Sequence, residues 1–567
     1  MSDTEGILDR QISRRQFMAY SGKFGVAAML ASPMVAAACG GETASGVMRF
    51  GHLNIFDTPN PVVTVSTPDM HWLVYDRLME FDNNLSPQLS LATSRDLSNG
   101  GATVTYKIRS GVEFHDGEPL TSADIKYSFE LYRDTKKGLF GGFFEPLETV
   151  EAPDDETVVL HFSGPPALDP SVGAPIIPAH IWQGMSPEDI DIFGNDEMIG
   201  SGAFKLNEYT PDTRLVLDRN SDWWGWSSND GPKTGTLEQI VKVQLANEET
   251  IANSLRNDEI DVTGTLSSPD IWAGLQGEPN VVVEEYPGLV LDHFGINVYE
   301  DPDNPGQPHP NSGGNPLLLD PVIREAMSWA MDRQRLVDLV LGGRGEKGTV
   351  VLPPGLGDAF LEIPEGEQAN GNPAKAREIL DAAGYVDRDG DGVRESPDGE
   401  KLSFRLFAST VIDRLPLYAE LIKPMLEDVG MEIQGVFGED DPTLIQRVFV
   451  DADWDMYTWV WQTPPDATFM LSVQSCDQFG NLSDTYYCDA EYEALFKAQQ
   501  TEGNPAQRLD MVKQAQQIFY DSFAYCVMAY PTKLQAYRDD NLVGWPFVNN
   551  GITTNWSTET FLIVSEA

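Results

Sequence analysis

His115 and Asp116 are adjacent in the chain, and a histidine beside a carboxylate is a pairing that general acid–base catalysis can use. The two residues lie in "SGVEFHDGEPLTS", a segment dense in turn-forming residues. Thr121 and Asp124 follow with a spacing close to that of a capping box at a helix start. No Ser or Cys nucleophile motif and no second histidine at metal-binding spacing accompanies the pair. We therefore interpret His115 as structural, hydrogen-bonded inside a strand-to-helix turn.

A second group of ligand-type residues lies in "DRDGDGVRESPD". Asp387, Asp389 and Asp391 occupy positions 1, 3 and 5 of an EF-hand-like calcium loop, the carbonyl of Val393 is at position 7 and Asp398 is at position 12. Aspartate at position 12 is shorter than the usual glutamate, and the next segment, "KLSFRLF", has the alternation of a strand rather than a helix. The loop therefore predicts either a structural Ca²⁺ site or a plain Asp-Gly turn, and no other cofactor is expected.

Three cysteines follow the amino-terminal region. Cys476 and Cys488 flank a loop rich in Gly, Asn, Ser and Asp, and a disulfide is permitted outside the cytoplasm. Bridging a loop of this length stabilises a fold by about 3 kcal/mol in the chain-entropy account. Cys526, in the apolar run "FAYCVMAY", is predicted to be a buried free thiol.

The amino-terminal residues have the pattern of an export signal. The arginine pair at 14–15 resembles a twin-arginine signal, and the weakly apolar run 24–38 has the length of a signal-peptide core but is too short to span a bilayer. We predict that residues 1–38 are removed and that residues 39–45 form a tether. Cys39 follows small residues as in a lipobox, so the outcome is either a lipid anchor at Cys39 or simple secretion. Both place the protein at the outer face of the cytoplasmic membrane, in the periplasm or at the cell surface.

Charge and length bound the class of protein further. The chain has 88 acidic and 38 basic residues, a net charge of −50, which repels nucleic acid and anionic lipid. The excess acid is either a solvated surface or an attractor of cationic ligands. A length of 567 residues exceeds one ordinary core and predicts two or three lobes.

The elements that would position these residues alternate between strand and helix over the whole length, which predicts an α/β fold. Strand-like runs include "TVVLHF", "RLVLDR", "IVKVQL", "KLSFRLF" and "DMYTWVW". Three helix starts share a side-chain cap followed by proline; they are Asp320-Pro321, Asn372-Pro373 and Asn504-Pro505. The first of them opens a segment that predicts one helix over 322–341, ended by two glycines.

Several segments, taken in order, resemble the family 5 extracellular solute-binding proteins, the peptide-, nickel- and oligosaccharide-binding components of ABC importers. The segments are "YKIRSGVEFHDGEPLTSADIKYSFE", "IGSGAFKLNEYTPDTRLVLDRNSDWW", "VIREAMSWAMDRQRLVDLVLGGRG", "NPAKAREILDAAGY" and "DTYYCDAEYEALF". The resemblance implies a two-lobed, periplasmic-binding-protein-like clamshell of class II, with an extra domain inserted in the first lobe. The matches imply the first lobe at 46–72, 198–290 and 530–567, the extra domain at 73–197 and the second lobe at 291–529.

The resemblance also implies where a ligand would lie. In the family, the end of the strand in "DMYTWVWQTPPDATF" and its following loop line the cleft between the lobes. The residues this predicts for ligand binding are Trp459, Trp461, Gln462, Thr463 and Asp466. Alternation places the two tryptophans on one face, and packing in the core is the alternative role for them. Peptide-binding members that grip a free amine carry Asp three residues after the loop tryptophan. This chain has Pro464 three residues after Trp461 and Gln462 three residues after Trp459. Asp466 is the alternative partner for an amine if the loop is shorter by a residue or two; otherwise the pattern disfavours a ligand with a free amino terminus.

The implied function is capture of a solute between the lobes of a monomer and its delivery to an ABC transporter permease, without chemistry. An oligopeptide is the first expectation, and an oligosaccharide, whose apolar faces stack on indole rings, is the alternative. A secreted hydrolase is the rival of a different class, because so acidic a chain offers many carboxylate pairs. A surface adhesin, which needs no small-molecule cleft, is a third class.

Overall fold

The structure, a computed structural model, describes residues 46–566 apart from short gaps. The gaps are at 54–57, 65–68, 83–86, 142–143, 145, 165, 167–168, 228–234, 267, 411, 480–481, 547–550 and 552–557. The predicted signal peptide at 1–38, the tether at 39–45 and the lipidation site Cys39 lie outside the described residues. None of the helices in the described part combines the length and the apolar character that a bilayer-spanning segment needs.

The strands are numbered in chain order over the described residues. They are β1 (Val47–His52), β2 (Met79–Phe81), β3 (Pro87–Leu89), β4 (Ala92–Ser98), β5 (Thr103–Ile108), β6 (Leu147–Asp154), β7 (Thr157–Phe162), β8 (Phe204–Thr210), β9 (Arg214–Arg219), β10 (Gln239–Gln244), β11 (Val262–Thr263), β12 (Val281–Tyr286), β13 (Val290–Ile296), β14 (Gly345–Lys347), β15 (Ser403–Ser409), β16 (Glu432–Glu439), β17 (Met456–Gln462), β18 (Tyr525–Pro531), β19 (Lys533–Arg538), β20 (Leu542–Val543) and β21 (Ser565–Glu566).

The α-helices are numbered in the same way. They are α1 (Asp69–Val74), α2 (Ser122–Thr135), α3 (Gly138–Gly141), α4 (Ala179–Trp182), α5 (Pro187–Ile192), α6 (Glu248–Arg256), α7 (Pro269–Leu275), α8 (Pro321–Ala330), α9 (Arg333–Val340), α10 (Pro373–Ala382), α11 (Arg414–Glu427), α12 (Asp441–Ile445), α13 (Thr468–Val473), α14 (Ala490–Thr501), α15 (Pro505–Ser522) and α16 (Glu559–Ile563).

Most strands belong to three sheets. The first-lobe sheet has the order β12-β19-β11-β1-β10-β9-β8, with β1 parallel to β10 and β11. The second-lobe sheet has the order β14-β18-β13-β17-β15-β16, with β15 parallel to β16 and β17. The antiparallel sheet β4-β5-β7-β6 lies in the chain between β1 and β8 and forms the extra domain. This confirms the predicted two-lobed α/β fold with an insertion in the first lobe, whereas the domain boundaries stay a prediction.

The chain crosses between the two lobe sheets twice. Residues 287–289 join β12 to β13, and Thr532 joins β18 to β19. The two crossovers touch, because a Cβ added at Gly288 would lie 2.4 Å from the carbonyl oxygen of Pro531. The amide of Thr532 also donates to the carbonyl oxygen of Arg344, at 3.3 Å. The absence of a side chain at Gly288 is what lets the two backbones approach so closely.

Separate apolar cores hold the two halves. Phe50 and Leu217 of the first-lobe sheet belong to the same buried cluster as Phe129 and Trp182 of the extra domain. The second lobe has a buried cluster of its own, which includes Phe294 of β13. Because burial of apolar surface is the main stabilising contribution in folding, the insertion is held to the first lobe as part of one core.

The predicted helix over 322–341 is wrong in one respect, since the structure has two helices, α8 and α9, in its place. The predicted cap of α8 is present, with the amide of Val322 donating to the Asp320 carboxylate at 2.9 Å. Asp332 accepts in the same way from the amide of Arg335, at 3.0 Å, and so starts a second helix. A carboxylate that bonds the backbone ahead of it favours a cap over a helix interior, which explains the break.

Candidate ligand-binding cleft

Ligands bind to open α/β sheets beyond the carboxyl ends of parallel strands. In the second lobe, β17 pairs in parallel with β15 as far as Thr458, opposite Ala408, and then continues from Trp459 to Gln462. This last stretch pairs with the start of β13, where Gln462 lies opposite Val290 beside the first crossover. The end of β17 thus lies where the second lobe meets the first, and we take it as the candidate cleft.

The aromatic side chains at alternate positions of β17 pass from the core to the surface. Tyr457 is fully buried, whereas Trp459 and Trp461 are half-buried and Gln462 is exposed. Trp459 packs edge-on against Phe449, with ring centroids 6.4 Å apart. Packing in the core therefore accounts for Tyr457, and ligand contact by the next three predicted residues stays a prediction.

The other two predicted ligand residues are engaged inside the lobe. Thr463 is fully buried, and its amide and hydroxyl donate to the carbonyl oxygen of Leu289 at 2.7 and 2.9 Å. It ties the loop after β17 to the first crossover. Asp466 accepts from Arg508 at 2.7 and 2.9 Å, and from the amide of Thr468 at 2.7 Å. Arg508 neutralises Asp466, so this arrangement does not support the use of Asp466 as the partner of a ligand amine.

A buried polar cluster lies behind Trp461, and sequence reasoning missed it. The indole N–H of Trp461 donates to the Asp484 carboxylate at 2.8 Å and to the Tyr525 hydroxyl at 3.2 Å. The Tyr525 hydroxyl also donates to Asp484. His293 stacks on Tyr525, with ring centroids 4.3 Å apart, and its Nε2 lies 3.2 Å from the Tyr457 hydroxyl. These residues come from β13, β17, β18 and a loop, so only the folded sheet brings them together.

The electrostatics of this cluster follow from its burial. Asp484 and His293 are both fully buried, and the imidazole Nε2 lies 3.6 Å from the carboxylate. Burial raises the pKa of Asp484 to about 6, although hydrogen bonds from Tyr525 and Trp461 oppose the rise. Burial lowers the pKa of His293 to about 3, so the imidazole is neutral at physiological pH.

Two arginines of the second lobe lie at the junction with the first. The guanidinium of Arg344 is 3.7 Å from the ring centroid of Trp272 in α7 and forms an ion pair with Glu285 of β12. Arg414, the first residue of α11, makes a two-pronged ion pair with buried Asp292 at 2.8 and 2.9 Å. Burial opposes the charge, yet the Asp292 carboxylate holds the pKa of Arg414 above its usual value. Both guanidinium groups are thus paired with carboxylates, and these pairs hold the junction rather than leaving positive charge free for a ligand.

His115 has a structural role, as the sequence indicates, but its partners lie outside its own turn. Its backbone amide donates to Gly200, its Nδ1 accepts from the Gly200 amide at 3.3 Å, and its Nε2 lies 3.1 Å from the carbonyl oxygen of Gly202. Burial lowers the pKa of His115 to about 4, so the ring stays neutral. Asp116 pairs instead with His180, at 2.8 Å. His115 therefore ties the extra domain to the start of β8.

The acidic loop gathers a different set of ligand atoms from the predicted one. Among the described residues, Asp387, Asp389 and Glu395 each offer one carboxylate oxygen, and these oxygens lie within 4.8 Å of one another, close enough to hold one metal ion. Of the other predicted ligands, Asp391 pairs with Lys401 and accepts from the Val393 amide at 2.9 Å, while Asp398 lies outside the group. Glu395 is at position 9 of the loop, a position that the sequence analysis did not assign.

The cysteines take the arrangement that the sequence favours. Cys476 and Cys488 form a disulfide with their Cα atoms 4.8 Å apart. Cys526 is a buried free thiol in β18. The bridge encloses the segment that carries Asp484, and so constrains the loop that presents this carboxylate to Trp461.

Two lobe sheets joined by two adjacent crossovers, with a candidate cleft beside them, are the fold of a solute-binding protein. The profile of "Bacterial extracellular solute-binding proteins, family 5 Middle" matches residues 86–481. The chain belongs to this family, the bacterial extracellular solute-binding proteins of family 5.

Individual relatives agree with the family assignment. The oligopeptide-binding protein AppA of Bacillus subtilis (strain 168) is 26% identical over 523 residues, which are 90% of this chain and 89% of AppA. The solved structure of AppA in complex with a nonapeptide has a TM-score of 0.73 at 23% identity, covering 92% of this chain and 99% of AppA. That of NikZ from Campylobacter jejuni in complex with Ni(L-His) has a TM-score of 0.74 at 18% identity, covering 92% of this chain and 100% of NikZ. These structural likenesses show the shared fold.

Proposed function

We propose that the protein captures an oligopeptide-like solute between its lobes and delivers it to the permease of an ABC importer. The observation that supports this proposal is the end of β17 on a family 5 fold, where Gln462 pairs with Val290 beside the first crossover. The relative AppA is an oligopeptide-binding protein, and its solved complex holds a nonapeptide. A solute that touches both lobes binds the closed form better than the open form and shifts the population towards closure.

The chemistry of the cleft favours a ligand bound by stacking and neutral hydrogen bonds. Two half-buried indoles and an exposed amide line the end of β17, and Asp466 is neutralised by Arg508. This favours a peptide held along its backbone or by its side chains over one gripped by a free amine. An oligosaccharide remains the second candidate, because indole faces stack on the apolar faces of sugar rings.

Replacing Trp461 by alanine is expected to abolish most of the ligand-induced rise in melting temperature, because it removes the half-buried ring at the cleft. The measurement is a thermal melt of the purified protein with and without a randomised peptide pool and, separately, a pool of short glycans. Trp329→Ala is the matched control, since Trp329 is another half-buried tryptophan of the second lobe, on α8. Full retention of the ligand effect in Trp461→Ala would show that the cleft is assigned to the wrong residues.

Export and anchoring complete the proposal. The family is extracellular, and the arginine pair at 14–15 supports export of the folded protein. We propose a lipid anchor at Cys39 and a monomeric, non-enzymatic protein at the outer face of the membrane.

Mass spectrometry of the peptide pool after incubation separates this proposal from a secreted hydrolase. Unaltered peptides together with thermal stabilisation support binding alone, whereas cleaved products support the hydrolase.

A structural Ca²⁺ at the acidic loop stays a prediction, now with Glu395 beside Asp387 and Asp389 as ligands. We expect added Ca²⁺ to raise the melting temperature, because it would neutralise carboxylates that lie within 4.8 Å of one another. Asp389→Ala should remove the effect, and Asp303→Ala, in another exposed acidic loop, should leave it unchanged. Identical melting curves in Ca²⁺ and in EGTA would show that the segment is a plain Asp-Gly turn.

A further inference from the structure

The Trp461 indole at the cleft has its polar edge turned inward, to a carboxylate that no part of the proposed function uses. Its N–H donates to the Asp484 carboxylate at 2.8 Å. An N–H bond to an ionised oxygen is shorter and roughly twice as strong as one to a neutral oxygen. The hydroxyl of Tyr525 donates to the same carboxylate, so two neutral donors converge on one buried charge.

Burial of the Asp484 carboxylate is unfavourable to the free energy of folding. Asp484 is fully buried, and the nearest titratable base, His293, is uncharged at physiological pH. Oδ1 of Asp484 and Nδ1 of His293 have no hydrogen-bond partner among the described residues. A buried polar atom without a partner costs free energy, so the arrangement of these two groups needs an explanation. A neutral amide could also accept from this N–H, but the bond would be weaker, so the negative charge is what strengthens the hold on the indole.

We propose that Asp484 is a positioning residue, which fixes the indole of Trp461 at the cleft so that loss of its negative charge frees the ring and weakens ligand binding. The ligand half of this inference rests on the proposed function, in which Trp461 contacts the solute. The positioning half rests on the contacts of the cluster alone. Holding a side chain in its bound orientation before the ligand arrives lowers the entropy cost of binding.

Asp484 is the one member of this cluster that changes charge near neutral pH, because the groups that face it keep their charge states there. His293 of β13 has its pKa lowered to about 3 by burial, and burial raises the pKa of Tyr457 of β17 and Tyr525 of β18 well above 10. Burial raises the pKa of Asp484 itself to about 6. The contact between Trp461 and Asp484 should therefore weaken as the pH falls through about 6.

The test is an NMR titration of the purified full chain labelled with ¹⁵N at its tryptophan indoles, without any ligand. The Trp461 signal is identified by its loss in Trp461→Phe. We expect this indole N–H signal to move with pH, with a midpoint near 6, and to be independent of pH in Asp484→Asn. Tyr525→Phe is a second variant in case the first does not fold; removing one donor to the carboxylate should shift the midpoint to higher pH. A Trp461 signal that is the same in the wild type and both variants across pH 5–7.5 would overturn the proposal.

Binding to the randomised peptide pool tests the ligand half. We expect the affinity of Asp484→Asn to fall roughly three- to tenfold at pH 7.5, the range for one newly freed side chain, with a similar fall in Trp461→Phe. Undiminished affinity in Asp484→Asn would overturn the ligand half. A signal that titrates in the wild type, together with unchanged binding by Trp461→Ala, would contradict the proposed cleft and leave the positioning contact standing.

Discussion

Replacing Asp292 by alanine is expected to lower the free energy of unfolding by about 3–5 kcal/mol, because it leaves the guanidinium of Arg414 inside the protein without its partner. The carboxylate of Asp292 is fully buried and accepts two hydrogen bonds from Arg414, at 2.8 and 2.9 Å. Arg414 is the first residue of α11, the helix that follows β15 in the chain. The change therefore also loosens the edge of the second lobe at the junction. Urea denaturation at pH 7 measures the effect.

Two further variants make this prediction specific to a buried pair. Glu427→Ala removes an ion pair of similar length, 2.6 Å to Lys423, on the exposed face of the same helix, and should cost at most about 1 kcal/mol. The double variant Asp292→Leu/Arg414→Met replaces both charges by apolar groups and should recover most of the loss. If Asp292→Ala and Glu427→Ala cost the same, the pair at the junction is solvated in solution.

Replacing Asp484 by asparagine is expected to change how the stability of the protein depends on pH. Burial raises the pKa of Asp484 from its usual 3.8 to about 6, so between these pH values the folded chain holds a proton that the unfolded chain has released. Wild-type stability therefore falls as the pH rises through this window. At about 1.4 kcal/mol for each pKa unit, the accumulated loss is about 3 kcal/mol.

Asparagine does not titrate, so the variant does not lose this stability. Its free energy of unfolding should therefore rise by about 3 kcal/mol relative to that of the wild type as the pH goes from 3.5 to 7. Subtracting the wild-type free energy of unfolding from that of the variant at each pH cancels the contributions of the other titrating groups. Denaturation at five or six pH values is sufficient to measure the slope. Asp477→Asn, an exposed residue of the same disulfide-closed loop, should leave the difference flat. A flat difference for Asp484→Asn itself would show that its carboxylate is solvated.

Local chemistry explains why much of the fold could be predicted from the sequence. A capping side chain followed by proline sets helix starts through bonds within three residues, so the starts of α8, α10 and α15 could be located in advance. The alternation in "DMYTWVW" likewise predicts the strand β17, because successive side chains of a strand point to opposite faces. The break between α8 and α9 could not be predicted from the same signals, since Asp332 is also compatible with a helix interior.

The candidate site was harder to predict, because its chemistry depends on contacts between distant segments. Asp466 has the position of a loop carboxylate, and nothing near it in the sequence shows that Arg508 of α15 neutralises it. Asp484 is one of many acidic residues, and its burial beside His293 arises only when β13, β17 and β18 pair. Family resemblance predicts where the cleft lies, but it does not reveal which carboxylates are already partnered.

The contact between Gly288 and Pro531 has a geometric consequence. Two crossover segments that lie far apart allow the lobes to twist as well as to open and close. Two crossover segments in van der Waals contact act as one hinge, which favours opening and closing of the lobes over twisting. The gap between the lobes then widens with distance from this hinge. We expect a short ligand to bind near Thr463, close to this hinge, and a longer ligand to extend towards the open margin of the candidate cleft.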